Sequence, residues 1–189
     1  MTSKYQAFKE RWQDCDRCPL SEVRNQVVLA RGQIPADVLF IGEAPGHSED
    51  TLGKPFVGPA GKLLDRLIET AIPGKVRMAF TNVVSCIPNV KTSSTRMAHY
   101  KEDGRNVSEP DEEAIKACAP RLEEFMGLCR PKLVVCVGLM AERCVPPGDE
   151  KRIRVIHPAA ILRMDVSQRG LAAQRTTDQI AEAVSELNL

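Results

Sequence analysis

Four cysteines are spaced so that they could share one metal centre. Cys15 and Cys18 form a C-x-x-C pair, Cys86 follows a strand-like apolar run, and Cys118 lies in a helix-like stretch. Thiolates are the usual ligands of iron–sulfur clusters and also suit structural zinc. The pattern therefore indicates a metal or cluster that ties three distant segments together, provided the fold brings them close. Taken without other information, the cysteines slightly favour zinc.

Two glycine-rich segments form a second group of candidates. The sequence GEAPG runs from Gly42 to Gly46, and GKPFVGPAG occupies residues 53–61. Glycines let a backbone approach a ligand closely. Gly58 and Gly61 open a predicted helix, whose N-terminus could receive an anion such as a phosphate. By itself this strand-to-helix turn is a weak signal, because unrelated nucleotide-binding proteins also contain one.

The hydrophobic pattern predicts the elements that position these residues. Continuous apolar runs predict buried strands at residues 38–41, 76–84, 133–138 and 153–156, and helical spacing predicts helices at 3–13, 58–71, 110–129 and 167–187. Alternating strands and helices predict an α/β fold, a single domain over residues 1–189 with three α/β/α layers and a mostly parallel central sheet. Ligands of such sheets bind beyond the carboxyl ends of the strands, and Gly42, Asn82 and His157 fall at or just past these ends.

Bulk composition limits the function classes. The 43% of apolar residues is normal for a globular domain, and the net charge of +1 gives no overall signal for nucleic acid. A nucleic-acid-binding protein of this composition would need a local basic face. No apolar run is long enough to span a bilayer, and the first segment is polar. We therefore predict a cytoplasmic protein without membrane contact. In that compartment thiols are available to metals, and seven cysteines, an odd number, argue against a closed disulfide framework.

One long polar stretch interrupts the predicted elements. Residues 87–110 are rich in Ser, Thr, Asn and charged residues, with Pro88 and Pro110 near the two ends. Loops of this length inside a compact domain are usually functional or disordered. We therefore predict a long inserted loop between Cys86 and Cys118.

Taken in order along the chain, the motifs resemble those of the iron–sulfur branch, family 4, of the uracil-DNA glycosylase superfamily. The matching pieces cover nearly the whole chain: C-x-x-C-P-L at 15–20, IGEAPG at 41–46, GKPFVGPAG at 53–61, TNVVSC at 81–86, a helix cysteine at 118, PKLVVCVG at 131–138 and HPAAILR at 157–163. Each motif alone is weak, whereas the ordered set is specific.

The resemblance implies a monofunctional DNA glycosylase, which flips a nucleotide out of the helix and hydrolyses its N-glycosidic bond to leave an abasic site. Glu43 and His157 are the implied catalytic residues. The implied base-binding residues are Gly42, Ala44, Gly46, Phe56 and Asn82. Phe56 would stack on the base, Asn82 would read the edge of uracil, and His157 would hydrogen-bond the O2 atom. Glu43, with the backbone of residues 44–46, would position water near C1′.

The resemblance also implies a cofactor and a partner. Cys15, Cys18, Cys86 and Cys118 would ligate a [4Fe–4S] cluster, with zinc as the less favoured alternative. DNA, single- or double-stranded, would be the partner, and we expect a monomer. Basic residues would contact the phosphate backbone and supply salt-sensitive affinity. The candidates for these contacts are Lys151, Arg152, Arg154 and Arg163.

Three departures from the pattern leave the substrate open. Gly46 leaves more space beside the C5 edge of the base than a tyrosine would, the loop at 87–110 is long, and the stretch from 138 to 157 is short. These features fit uracil excision, and they equally fit an antiphage defence glycosylase that removes a bulky modified pyrimidine, such as modified cytosine. A non-catalytic DNA-binding module is the alternative of a different class, although the intact Glu43, Asn82 and His157 argue against it.

Overall fold

A computed structural model describes residues 3–88 and 109–189 of the chain. Its strands are β1 (Arg31–Gly32), β2 (Val38–Gly42), β3 (Met78–Asn82), β4 (Leu133–Val137) and β5 (Lys151–Val155). Its α-helices are α1 (Lys4–Trp12), α2 (His47–Leu52), α3 (Pro59–Ala71), α4 (Glu112–Cys129), α5 (Leu139–Cys144), α6 (Pro158–Arg163) and α7 (Val166–Glu186). No helix in the described part of the chain is long and apolar enough to cross a membrane.

The strands form one sheet in the order β1-β3-β2-β4-β5. All neighbours are parallel except the short edge strand β1, which pairs antiparallel with β3. The register places Gly42 opposite Asn82, so the carboxyl ends of β2 and β3 coincide. The prediction of a mostly parallel sheet is confirmed, whereas the two residues of β1 are too few to produce a sequence pattern.

Alternate residues of the central strands pack against different helices. Leu39 and Ile41 share a core with Phe8 of α1 and Phe125 of α4. On the other face, Val38 and Phe40 of β2 pack with apolar residues of α3 and α7, including Leu64 and Ile180. Because both faces of β2 are covered, its sequence is apolar throughout rather than alternating. This packing confirms the predicted three-layer α/β/α arrangement.

Helix α4 carries residues that reach the carboxyl end of the sheet. Asp111 caps it by accepting a hydrogen bond from the Ala114 amide at 2.8 Å, which stabilises the helix N-terminus. Cys118 and Arg121 are three positions apart, so they lie on the same face of the helix. Both are buried, which places a thiol and a guanidinium together inside the protein.

The predicted element bounds differ from the observed ones at a few places. Strand β3 is shorter than the predicted residues 76–84, and β5 begins at Lys151 rather than at residue 153, so it contains three of the predicted DNA contacts. The short helices α2 and α6 were not predicted, because six residues are too few for a clear helical period. Most of the predicted inserted loop, residues 89–108, lies outside the described residues.

Candidate active site

Gly42, Phe56 and Asn82 meet where β2 and β3 end. The side chains of Phe56 and Asn82 are buried, with 7% and 3% of their surfaces exposed. A Cβ atom on Gly42 would lie 2.6 Å from Cζ of Phe56 and even closer to Oδ1 of Asn82. Only glycine therefore allows the aromatic ring and the amide to approach each other over this strand end. The structure brings these three predicted base-binding residues together.

Phe56 is held in an uncommon backbone conformation. Its φ is 57°, in the left-handed region that phenylalanine rarely adopts. The ring packs on Phe80 with centroids 5.9 Å apart. The guanidinium of Arg31 lies over the ring of Phe80, 3.8 Å from its centroid. The Nε atom of Arg31 donates a hydrogen bond to the carbonyl of Pro55, the residue before Phe56, at 2.9 Å. Such over-determined strained residues are frequent at functional sites.

One carboxylate joins the two glycine-rich segments. Glu49 Oε2 accepts a hydrogen bond from the Gly46 amide at 3.1 Å, and Oε1 accepts one from the Gly58 amide at 2.9 Å. The GEAPG turn, including Ala44, is therefore fixed to the segment that carries Phe56. Glu49 was not among the residues predicted from the sequence, although a glutamate three residues after a helix cap is the capping-box spacing.

Glu43 lies half-buried at the edge of the site. Its carbonyl accepts a hydrogen bond from the Val84 amide at 3.0 Å, which continues the β2–β3 pairing past the strand ends and fixes the backbone. Burial raises the pKa of the Glu43 carboxyl, and the nearby carboxylate of Glu109 raises it further. A carboxyl in this environment can hold a water molecule and accept a proton.

His157 follows β5 and caps helix α6. Its Nδ1 accepts a hydrogen bond from the Ala159 amide at 3.2 Å. Burial lowers the pKa of His157 to about 4, and the nearby Arg163 charge contributes in the same direction. The imidazole is therefore neutral at neutral pH, and because Nδ1 is an acceptor, the proton is assigned to Nε2. Gly138, with φ of 97°, lies against the imidazole where β4 ends.

The four predicted metal ligands lie near one another; we call Cys15, Cys18, Cys86 and Cys118 the cysteine corner. Cys86 and Cys118 are buried, and all four are free thiols. Burial raises the pKa of Cys86 to about 12, and Cys118 and Cys18 lie near enough to affect it. The pKa of Cys18 is also raised, by burial first and by Cys118 and Cys15 in addition. Residues 3–88 and 109–189 contain no group of three His, Cys, Asp or Glu side chains placed to hold a metal ion.

Two arginines lie beside the cysteine corner, and the motif reading did not identify either. Arg24 donates from Nη1 to the Sγ atom of Cys86 at 3.7 Å. Arg121 is 1% exposed and interacts electrostatically with Cys118, Cys86 and Cys15. A buried arginine has no period or spacing that marks it in a sequence, because its burial depends on packing from distant segments.

The predicted DNA contacts divide into two groups. Lys151 forms an ion pair with Glu186, Arg152 with Glu150, and Arg154 with Glu142, the last at 2.9 Å. Lys151 also begins β5, at the opposite end of the strand from His157. Arg163, in contrast, is exposed at the end of α6 and close enough to His157 to lower the pKa of that residue. Arg163 therefore lies near His157, whereas the other three form ion pairs along the edge strand.

Comparison with known proteins identifies the family. The model of the uracil DNA glycosylase superfamily matches residues 29–187. A type-4 uracil-DNA glycosylase from Pyrobaculum aerophilum is 32% identical, with 84% of each chain covered.

Two further type-4 uracil-DNA glycosylases are similar over a shorter region. The protein from Sulfurisphaera tokodaii is 36% identical over 69% of this chain and 53% of its own length. The protein from Saccharolobus solfataricus is 37% identical over 66% and 50%. The match thus spans about half the length of these two relatives. The chain belongs to the uracil-DNA glycosylase superfamily and, within it, to the type-4 family.

Proposed function

We propose that the chain is a monofunctional DNA glycosylase that hydrolyses the bond between uracil and deoxyribose. The observation that carries this proposal is the meeting of Phe56, Asn82 and Gly42 at the carboxyl edge of the sheet. Parallel α/β sheets bind their ligands at this edge. A flipped base needs a pocket with one stacking face and one polar edge, and these side chains provide both.

Asn82 gives the pocket its preference for uracil. Its carbonyl oxygen accepts a hydrogen bond from N3–H of uracil, while its amide donates to O4. Cytosine presents an acceptor at N3 and a donor at N4, so the same amide orientation leaves two mismatched pairs. Because Asn82 is buried, polar groups left without a hydrogen bond there raise the free energy of the complex, and this penalty applies to cytosine and not to uracil.

His157 stabilises the departing base. Cleavage of the C1′–N1 bond leaves the electron pair on uracil, where the negative charge spreads over N1 and O2. The neutral imidazole donates its Nε2 proton in a hydrogen bond to O2, while Nδ1 remains held by the Ala159 amide. A donor that gains strength as the charge develops lowers the barrier, by about 10²–10³ in rate for comparable donors.

Glu43 completes the reaction on the sugar. Its carboxylate holds water near C1′, and its negative charge stabilises the positive charge that develops on the ring as the bond breaks. The water oxygen then bonds to C1′, and a proton passes to the carboxylate or to solvent. Burial has raised the pKa of Glu43, which makes the carboxylate a better proton acceptor than an exposed glutamate.

The thiols of the cysteine corner are not placed to hold a single metal ion, but the chemistry of this donor set fits an iron–sulfur cluster. Four free thiols come from three separate segments, and two arginines lie beside them to offset the negative charge of four thiolates. A buried Nε of Arg121 has no hydrogen-bond partner among the described residues, which suits an additional anionic acceptor. Cys15, Cys18, Cys86 and Cys118 would hold a [4Fe–4S] cluster, whose role would be to join the N-terminal segment to β3 and α4.

Arg163 supports the placement of DNA along the carboxyl edge. It is exposed, basic and near His157, so a phosphate beside the flipped nucleotide could bind it. The acidic partners of Lys151, Arg152 and Arg154 make these three weaker candidates. The relatives named for uracil favour this base over a bulky modified pyrimidine and favour an enzyme over a binding module.

The direct test is base excision by the purified protein. Oligonucleotides that carry one uracil, in single and double strands, are incubated with the enzyme, and abasic sites are detected by alkaline cleavage. We expect cleavage at uracil and none in the matched cytosine oligonucleotide. Release of modified cytosine from phage DNA without release of uracil would support the defence enzyme instead. Binding of DNA without abasic sites on any substrate would support the non-catalytic module.

A further inference from the structure

Arg121 is a buried cation that contacts both the strand end at the base pocket and the cysteine corner. With 1% of its surface exposed, it is among the largest fully buried side chains of the described chain. In residues 3–88 and 109–189, no aspartate or glutamate forms an ion pair with it. An unpaired charge inside a protein is strongly unfavourable, so this guanidinium needs another source of negative charge.

The hydrogen bonds of Arg121 point to the base-reading residue. Nη2 donates to the carbonyl of Asn82 at 2.5 Å and to the carbonyl of Val83 at 2.7 Å. Nη1 donates to the hydroxyl of Thr81 at 2.8 Å. Three consecutive residues are thereby fixed at the position where β3 ends. Because the Asn82 side chain is attached to this backbone, the hydrogen bonds of Arg121 help to fix the position and orientation of the side-chain amide.

The same guanidinium lies near the thiols of the cysteine corner. Cys118 lies one helical turn before Arg121 in α4, and Cys86 and Cys15 are near enough to interact with its charge. The buried Nε without a hydrogen-bond partner among the described residues belongs to the same side chain. Thiolates that bind a cluster would supply the missing negative charge. The charge of the cysteine corner and the position of Asn82 are thus linked through one side chain.

We propose that Arg121 is a positioning residue for uracil excision, which holds the end of β3 in place with its charge offset by the cysteine ligands of the cluster. The inference rests on the proposed function, because it assigns Asn82 to the base and the four cysteines to the cluster. It also gives the cluster a specific task. The cysteine ligands would offset the charge of the buried Arg121, and Arg121 holds the backbone of Asn82, the residue proposed to read the base.

The first test compares Arg121→Lys with wild type in the cluster-loaded protein. Lysine keeps the positive charge but cannot make three hydrogen bonds in a fixed plane. We expect normal iron content and visible absorption, a single-turnover excision rate lower by about 10–100-fold, and a KM for uracil DNA within about threefold of wild type. Arg11→Met, which removes an exposed ion pair with Glu124, is the control and should match wild type in all three.

A second pair of variants does not depend on the folding of Arg121 variants. Thr81→Val removes the hydroxyl that accepts from Arg121 and donates to the Leu29 carbonyl, and it leaves the charge and the cysteines intact. Thr81→Ser keeps a hydroxyl that can make both hydrogen bonds. We expect the valine variant to excise uracil about 3–10-fold more slowly with full iron content, and the serine variant to restore the rate.

The outcomes separate the inference from the proposed function. A wild-type protein that excises no uracil would overturn both. An active wild type, with Arg121→Lys equally fast and fully loaded, would overturn the positioning role alone. If Arg121 variants do not fold, equal rates for Thr81→Val and Thr81→Ser overturn it, and a slower valine variant supports it.

Discussion

The proposed base pocket, around Gly42, Phe56 and Asn82, and the cysteine corner lie close together at the carboxyl edge of the sheet, but they are held in different ways. In the pocket, Phe56, Glu43 and His157 are fixed by hydrogen bonds and packing that the protein supplies entirely from its own backbone and side chains. In the cysteine corner, burial raises the pKa of Cys86 while two arginines lie beside the thiols. At Cys86, a cation lies beside a thiol that burial keeps protonated, a mismatch that a bound metal would resolve by making the thiol a thiolate.

The two regions should therefore respond to different perturbations. Removal of a bound metal should lower the free energy of unfolding, and it should reduce catalysis only as a consequence of this loss of stability. Changes in the pocket should affect catalysis and leave the fold intact. Arg121 is the side chain that contacts both regions, so it is the place where the two responses should combine.

The largest effect is expected when the cysteine corner loses a ligand. Cys118→Ser should abolish the visible absorption of the cluster and lower the free energy of unfolding by about 3–5 kcal/mol, because Arg121 would remain buried without its counter-charge. Iron analysis and urea denaturation measure the two effects. Cys129→Ser, at a buried cysteine of the same helix, is the control and should keep its iron. Equal metal loss in both variants would remove the distinction between these cysteines.

The next effect concerns the pocket alone. Asn82→Ala should lower the excision rate by about 10²–10³, since the two hydrogen bonds that distinguish uracil are lost, and it should leave the iron content unchanged. Single-turnover kinetics and iron analysis check the two halves of this expectation. Asn188→Ala, at an exposed position, is the matched control. A fast Asn82→Ala enzyme would remove this residue from the base site.

A pH effect of intermediate size should arise from His157. The folded pKa of about 4 is below the ordinary 6.5, so the unfolded chain takes up a proton first as the pH falls. Stability is therefore full above pH 6.5 and declines from there to about pH 4, by up to about 3 kcal/mol. His157→Asn keeps a helix-capping acceptor but does not titrate, so its stability should fall less over this range. Urea denaturation at several pH values decides, and parallel curves for the two proteins would contradict the assignment.

The smallest effect should separate Arg163 from the edge-strand cations. Arg163→Gln should weaken DNA binding by about 2–5-fold and reduce the salt dependence by about one counterion, as expected for one lost phosphate contact. Lys151→Gln, whose charge pairs with Glu186, should change DNA affinity less. Fluorescence anisotropy at several salt concentrations measures both. A larger loss of DNA affinity in Lys151→Gln than in Arg163→Gln would indicate instead that DNA binds along residues 151–154.

The sequence predicted the layers of the fold because the pattern that encodes them is local. Runs such as residues 38–41 are apolar throughout, and a strand covered on both faces requires this. It also located Gly42 and His157 at strand ends, since the end of an apolar run is visible in the residues themselves. The second predicted strand ran on to residue 84, so the structure decided that β3 ends at Asn82. The motif order identified the family, which the match over residues 29–187 confirms.

Other features could not be predicted from local patterns. Glu49 joins the amide of Gly46, three residues before it, to the amide of Gly58, nine residues after it. The capping-box spacing predicts only the hydrogen bond from Gly46. The basic run at 151–154 indicated a binding face, but Lys151 pairs with a glutamate 35 positions later. Charge in a sequence does not reveal its partner, because ion pairs form between segments that only the fold brings together.

The sequence alone shows which reactive groups the chain carries: an aromatic ring, an amide, an imidazole, a carboxylate and four thiols, each at the end of an element or in a motif. Tertiary structure decided how these groups are prepared for use. Packing lowers the pKa of His157, raises that of Glu43 and buries Arg121 between the thiols and Asn82. These shifts and this burial depend on residues distant in sequence, so they arise only once the helices have packed on the sheet.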